Sequence, residues 1–309
     1  MNLLKGLINN RNSCSFDCFL TIFIFSIEPI LEKYKSEFDK NFLYDNKIEN
    51  KYELYLKFIE FIKQNFGENY IKFYDSYDLF NKLNKCDLYE LKINELFNNV
   101  PIVINYRILN NNKNFCFKYS IKHFCTGKCK FSNQLIEIKI TNAFIDIPLT
   151  AYNNPKISTF SDLMNETIFM NINTICNEES CYSDDDKLVN FYVKKYDIIE
   201  FPPILSINTN VNNLNELLSY KDFINKIFVN IISTNNIQYE LIAFVTQPYE
   251  NHYVSYFRNM DIKYNDSLLK WYKYDDLNGN YNEVKTADFG IYNIRSSEAI
   301  CLLVYKKII

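Results

Sequence analysis

Apolar positions in the first hundred residues recur at helical spacing. Cys14 to Leu31 is almost unbroken in its apolar character and predicts a buried helix, and Tyr52, Leu56, Phe58, Ile59, Phe61 and Ile62 recur near a 3.6-residue period until Gly67 stops them. The period then falls to two. Ile136, Ile138 and Ile140 alternate with Glu137, Lys139 and Thr141, which predicts a half-buried strand. From Pro202 onward, Ile204 to Asn208, Phe228 to Ile232, Ile237 to Thr246, His252 to Arg258, Lys270 to Asp275 and Ala299 to Lys306 read as successive strands. Helices first and an antiparallel sheet later predict an α+β fold, not a doubly wound α/β sheet. No repeat and no Pro- or Ser-rich linker divides the chain, so residues 1–309 are expected to form one domain.

Composition narrows the classes. The 309 residues, 48% hydrophobic and 23% charged, are enough for a sizeable core and exclude wholesale disorder. Lys and Arg number 34 against 37 Asp and Glu, a formal charge of −3 with no overall positive field for a phosphate backbone, so nucleic acid is not an expected partner. Glycine is scarce, 5 residues, while Asn, Lys, Ile, Tyr and Phe abound; Asn-rich runs are therefore coding bias, not motifs. The apolar run Cys18 to Ile27 is too short to span a bilayer, has Asp17 at its edge and ends at Glu28-Pro29, so a buried helix is expected and no membrane. Nine cysteines, an odd number spread over a long chain, fit a reducing compartment, cytoplasmic or nuclear, where they serve as nucleophiles, metal ligands or small core residues.

Candidate chemistry starts at Cys14. The polar stretch from Gly6 to Ser13 runs into the apolar helix and sets this thiol in its first turn, where the positive end of the macrodipole favours an anion. Ser13 or Asn12 as a plain N-cap, with Cys14 a small buried residue, accounts for the same positions. A thiolate nucleophile needs a base, and the chain holds only His123 and His252. His123 lies two residues before Cys125 in a cysteine-rich stretch, where metal ligation or exposure suits it. His252 opens a strand after a loop, a common place for a catalytic side chain. Trp271-Tyr272-Lys273-Tyr274-Asp275-Asp276 follows. Strand alternation gives one carboxylate to the face of Trp271 and Lys273 and the other to the face of Tyr272 and Tyr274, so one of them can orient a histidine on a neighbouring strand. A solvated turn at Asp275-Asp276 is the plainer alternative.

Taken together, these segments resemble a known family. Gly6-Leu7-x-Asn9-x-x-Asn12-Ser13-Cys14 followed by Phe19-Leu20 resembles the cysteine box of the ubiquitin-specific proteases, deubiquitinating thiol peptidases with a papain-like core. Tyr239 to Ala243, Asn251-His252-Tyr253, Trp271 to Asp276 and Ala299 to Tyr305 are similar, in order, to that family's histidine box and closing strand. Cys86-Asp87-Leu88-Tyr89-Glu90-Leu91 is similar to its Gln-Asp-Ala-x-Glu-Phe motif. The resemblance implies a helical thumb over about 1–105, zinc-ribbon-like fingers over 106–190 and an antiparallel β palm over 191–309. It implies Cys14 as nucleophile, His252 as general base and acid, Asp275 as the residue orienting His252 with Asp276 in reserve, and Asn9 as oxyanion donor. Asp87 and Glu90 would hold the basic tail of ubiquitin, with Tyr253 lining the same cleft. Acidic groups in a narrow cleft suit such a tail on charge alone. No catalytic cofactor is implied, and a monomer is expected.

The chain departs from the family at Arg11, Ser15, Asp17 and Asn251, where a glycine, an aromatic residue, an asparagine and a glycine are usual. Arg11 and Ser15 motivate an alternative reading, a catalytically impaired ubiquitin-binding pseudopeptidase. Cys125-x-x-x-Cys129 and Cys176-x-x-x-x-Cys181, separated by strand-like sequence, are spaced to set four thiolates around a structural zinc, with Gly127 permitting the first knuckle. Cys116 or His123 could replace one ligand, and an altered site or a disulfide are the other outcomes. The cysteine pairs and abundant aromatics would also suit a zinc-stapled nucleic-acid binder, against which the acidic balance weighs.

Overall fold

The computed structural model describes residues 14–33, 112–125, 135–168, 172–175, 191–209, 214–249, 252–260, 270–275, 277, 280–284 and 298–308. The apolar run at the start is helical: α1 (Cys14–Ile22) passes through a π-helical turn, Phe23–Ile27, into α2 (Glu28–Lys33). Every residue from Asp17 to Ile27 is buried, which explains why this segment carries almost no polar positions. None of the described helices is long and apolar enough to cross a membrane.

Two sheets follow. The smaller one contains β1 (Lys118–Cys125), β2 (Leu135–Ile140), β4 (Ile172–Ile175) and β5 (Phe191–Glu200) in the antiparallel order β2-β1-β5-β4. The larger one runs β11-β10-β9-β8-β12-β6-β3, with β7 paired to β8. Its strands are β3 (Phe144–Asp146), β6 (Ile204–Asn208), β7 (Ile231–Thr234), β8 (Ile237–Tyr249), β9 (His252–Arg258), β10 (Trp271–Asp275), β11 (Asn280–Val284) and β12 (Ala299–Lys307). All its pairings are antiparallel except β3 with β6. Short helices α3 (Phe160–Leu163), α4 (Leu214–Ser219) and α5 (Lys221–Ile227) flank it. Thr159 and Asp162 cap α3 reciprocally, each side chain accepting the other's backbone N–H.

One face of the large sheet, with Leu205, Ile207, Phe244, Val254, Tyr256, Trp271 and Leu303, closes against residues 145–164 and α5 to form a core. Within the span 106–190 expected as fingers, the apolar stretch from Ala143 to Met164 leaves the small sheet and joins this core, because its residues are buried there. Buried tyrosines in the core keep their hydroxyls satisfied, Tyr239 donating to the Pro202 carbonyl at 2.9 Å and Tyr305 to that of Val229 at 3.0 Å. The β7–β8 hairpin turns on Asn235 and Asn236, both at positive φ (47° and 65°), the signature of a type I′ turn. In so glycine-poor a chain, asparagine supplies the left-handed backbone.

The β2 expectation needs correction. The strand is present, but Ile138 is 50% exposed and Glu137 and Lys139 on the other face are exposed as well, so it is not half-buried. Alternation correctly sets which residues share a face; among the described strands β2 is the outermost of the small sheet and has a neighbour on one side only.

Candidate active site

Helix α1 lies on the opposite face of the large sheet from the core, alongside β9. The two are locked at one end: Ser26 Oγ donates to the Arg258 carbonyl at 2.7 Å, the Met260 N–H donates to the Phe25 carbonyl at 2.9 Å, and the Phe25 and Phe257 rings stack with centroids 5.1 Å apart. Eleven residues back from Phe25 along the helix is about 16 Å at about 1.5 Å per residue. Five residues back from Phe257 along the strand is about 16 Å at about 3.3 Å per residue. Helix and strand therefore advance in step, and Cys14 falls level with the start of β9. The electrostatics agree. Burial pushes the Tyr253 phenol up to about 12, and the thiols of Cys301, Cys14 and Cys18 add to that shift, which sets Cys14 on the side of the sheet near the second residue of β9.

Cys14 opens α1 and is 2% exposed. Cys14, Cys18, Cys116 and Cys301 are thiols, and burial pushes the Cys301 thiol up, which keeps it protonated. His252 opens β9, where a register shift between Thr246 and Tyr249 of β8 re-aims the strand beside it. Its Nε2 stands 2.9 Å from Asp275 Oδ1, on side chains only 10% and 21% exposed. Asp275 ends β10 and shares the sheet face of Trp271 and Lys273. The hydrogen bond from His252 holds its carboxyl below the usual range against the opposing effect of burial, with help from the His252 charge, the Leu277 N–H at 3.2 Å and Lys273. An ionised carboxylate only accepts, so Nε2 carries the proton, and in the neutral ring Nδ1 is the basic nitrogen.

Tyr253, half-buried, faces α1. Cys125 ends β1 opposite Tyr192, while β4 ends at Ile175 opposite Phe191, one residue before Cys176 in the chain. The strand ends at Cys125 and Ile175 thus lie at the same end of the small sheet, on either side of β5. Cys116 is fully buried at the other end of β1, away from Cys125. Among the described residues no group of three or more His, Cys, Asp or Glu side chains could hold a metal ion. Asn9, Asp87, Glu90, Cys129, Cys176, Cys181 and Asp276 lie outside the described residues, as does the Cys125 side chain.

Two supports of this region were not anticipated. One is the helix–strand lock at Phe25, Ser26, Phe257 and Arg258, which the apolar alternation of both segments foreshadows. The other is Glu298, 3% exposed, which accepts from Thr246 Oγ1 at 3.0 Å and Tyr256 OH at 3.2 Å; nothing in the sequence marks it.

No family model and no curated protein matches the chain. Solved structures do. The structure of the Saccharomyces cerevisiae PAN2 pseudoubiquitin-hydrolase is similar over 99% of this chain and 88% of that one, with TM-score 0.52 and 13% identity. That of the Ubp8-Sgf11-Sgf73-Sus1 SAGA DUB module is similar over 99% and 68%, with TM-score 0.51 and 16% identity. The chain has the α+β fold of the ubiquitin-specific proteases.

Proposed function

We propose that this chain is a thiol-dependent deubiquitinase that hydrolyses the isopeptide bond after the C-terminal glycine of ubiquitin. The observation that carries the proposal is the His252–Asp275 pair at 2.9 Å, at the end of the sheet level with Cys14. The fold supports it. In the proposed reaction Cys14 attacks the glycine carbonyl, and His252 Nδ1 takes the thiol proton and returns it to the departing lysine amine. Asp275 keeps the Nε2–H in place and offsets the charge of the imidazolium. Asn9 and backbone N–H groups stabilise the oxyanion, and water, deprotonated by His252, then frees the acyl-enzyme. Asp87, Glu90 and Tyr253 hold the extended tail. We also propose a structural zinc bound by Cys125, Cys129, Cys176 and Cys181, supported by the spacing of the two pairs and by the shared sheet end at which β1 stops at Cys125 and β4 at Ile175.

A second reading, a catalytically impaired ubiquitin-binding pseudopeptidase, is favoured by Arg11 and by the likeness to the PAN2 pseudoubiquitin-hydrolase. Incubation with ubiquitin bearing a C-terminal electrophile separates the two. A covalent adduct formed by wild type and Cys18→Ala but not by Cys14→Ala supports the peptidase. A stable non-covalent complex without adduct supports the pseudopeptidase, and neither adduct nor complex overturns both.

A further inference from the structure

Strand β2 is the outer strand of the small sheet, and among the described residues no strand pairs with its far side. A bare edge leaves alternate N–H and C=O groups available as a template for another strand. This edge is also apolar: Leu135 is 55% and Ile138 50% exposed. Beside Ile138 stand one acid and one base, Glu137 and Lys139, each about half exposed, with Lys139 Nζ 3.2 Å from Glu137 Oε2.

The order of these residues selects a partner. Ile136-Glu137-Ile138-Lys139-Ile140 is symmetric about Ile138 in its apolar positions and antisymmetric in its charges. Laid antiparallel against a second copy, with a two-fold axis at Ile138, the strand sets Ile138 opposite itself, Glu137 opposite Lys139 of the second copy, and Ile136 opposite Ile140. Every opposed pair is matched. A slip of one residue opposes charges to isoleucines. A slip of two sets Glu137 against Glu137 or Lys139 against Lys139, and parallel in-register pairing does both. One of these registers matches the charges and sets Ile138 against itself, and it has the two-fold symmetry of an isologous dimer.

We propose that two copies of this chain associate through β2, joining their small sheets into one eight-stranded sheet of order β4-β5-β1-β2-β2-β1-β5-β4. This proposal departs from the monomer expected from the sequence. A six-residue strand pair covers less than the roughly 1,200 Å² of a stable interface, so the dimer is weak and concentration-dependent. It is independent of the proposed peptidase activity.

Sedimentation velocity on the full chain over a concentration series tests it. Wild type shifts from monomer to dimer as concentration rises. Glu137→Lys and Lys139→Glu each put like charges opposite one another at two places and weaken self-association by about tenfold or more. An equimolar mixture of the two variants associates again, because the reversed charge on each meets its opposite on the other, and the double variant Glu137→Lys, Lys139→Glu associates as wild type does. Both sites are on the surface, so the variants fold. A wild-type chain that stays monomeric at several hundred micromolar, as it would if β2 served a foreign strand instead, overturns the proposal. So do single variants that associate as tightly as wild type, or a mixture no better than its components.

Discussion

Phe25 stacks on Phe257 with ring centroids 5.1 Å apart and planes 22° from parallel. That contact, with the Ser26 hydrogen bond beside it, fixes how far α1 is slid along β9. It therefore fixes which part of the strand lies level with Cys14, about three turns of helix away. The register of Cys14 against β9, on which the proposed active site depends, is set by packing at the far end of the helix.

Truncating that anchor should be felt at a distance. Phe25 is 5% exposed, and Phe25→Ala is expected to cost about 3–5 kcal/mol of stability in chemical denaturation. In the folded fraction, turnover on a ubiquitin–fluorophore substrate should fall while KM changes little, because the loss is one of alignment between Cys14 and His252.

Asp275→Asn keeps the shape of the side chain but withdraws the charge that fixes the His252 tautomer. The expected outcome is a fall in kcat of about 10²–10⁴-fold with KM nearly unchanged. Ubiquitin binding, followed by calorimetry, should be retained. An unchanged kcat would move the orienting role to Asp276.

The same carboxyl makes a pH-dependent contribution to folding. Its pKa is held below the unfolded value near 3.9, so its stabilisation is fully present above that value and is lost as pH falls through the lower folded value. Melting temperatures of wild type and Asp275→Asn should differ at pH 7 and converge below about pH 4. Glu240 is also held low; burial works against its ionisation, but its hydrogen bond to Arg258 and the charges of Arg258 and Lys306 outweigh that effect. It titrates in both proteins and cancels from the comparison.

Purified protein is expected to carry one zinc per chain by elemental analysis, and Cys176→Ser with Cys181→Ser to carry none. Chelation should destabilise the small sheet while leaving the large one folded, visible as loss of amide protection in β1, β4 and β5 but not in β8 or β12.

Sequence patterning gave the helical start and the strands β6, β8, β9, β10 and β12 nearly to their ends, because each is a long apolar or alternating run. Phe228 to Ile232 reads as one strand in the sequence, and the structure divides it. Phe228 and Val229 connect α5 to β7, and short apolar segments at a helix end look the same in either state. β1 and β5 are rich in Lys and Tyr, with no clean alternation to announce them. At the site, alternation reduced the partner of His252 to one carboxylate per face, Asp275 or Asp276. Choosing between them needs the ladder register of β9 with β10, a long-range property. Ile138 shows the complementary limit: period reveals a shared face, and only the neighbouring strand order reveals whether that face is covered.

Among the described strands β12 comes last in the chain, yet it lies between β8 and β6, in the middle of the large sheet. During synthesis those two neighbours leave the ribosome with a gap between them that nothing already made can fill. The sheet can close only when residues 299–307 arrive, so β6 and β8 must both wait for the strand that joins them. A nascent chain stalled before that point would present two unpaired strand edges to the cell's chaperones.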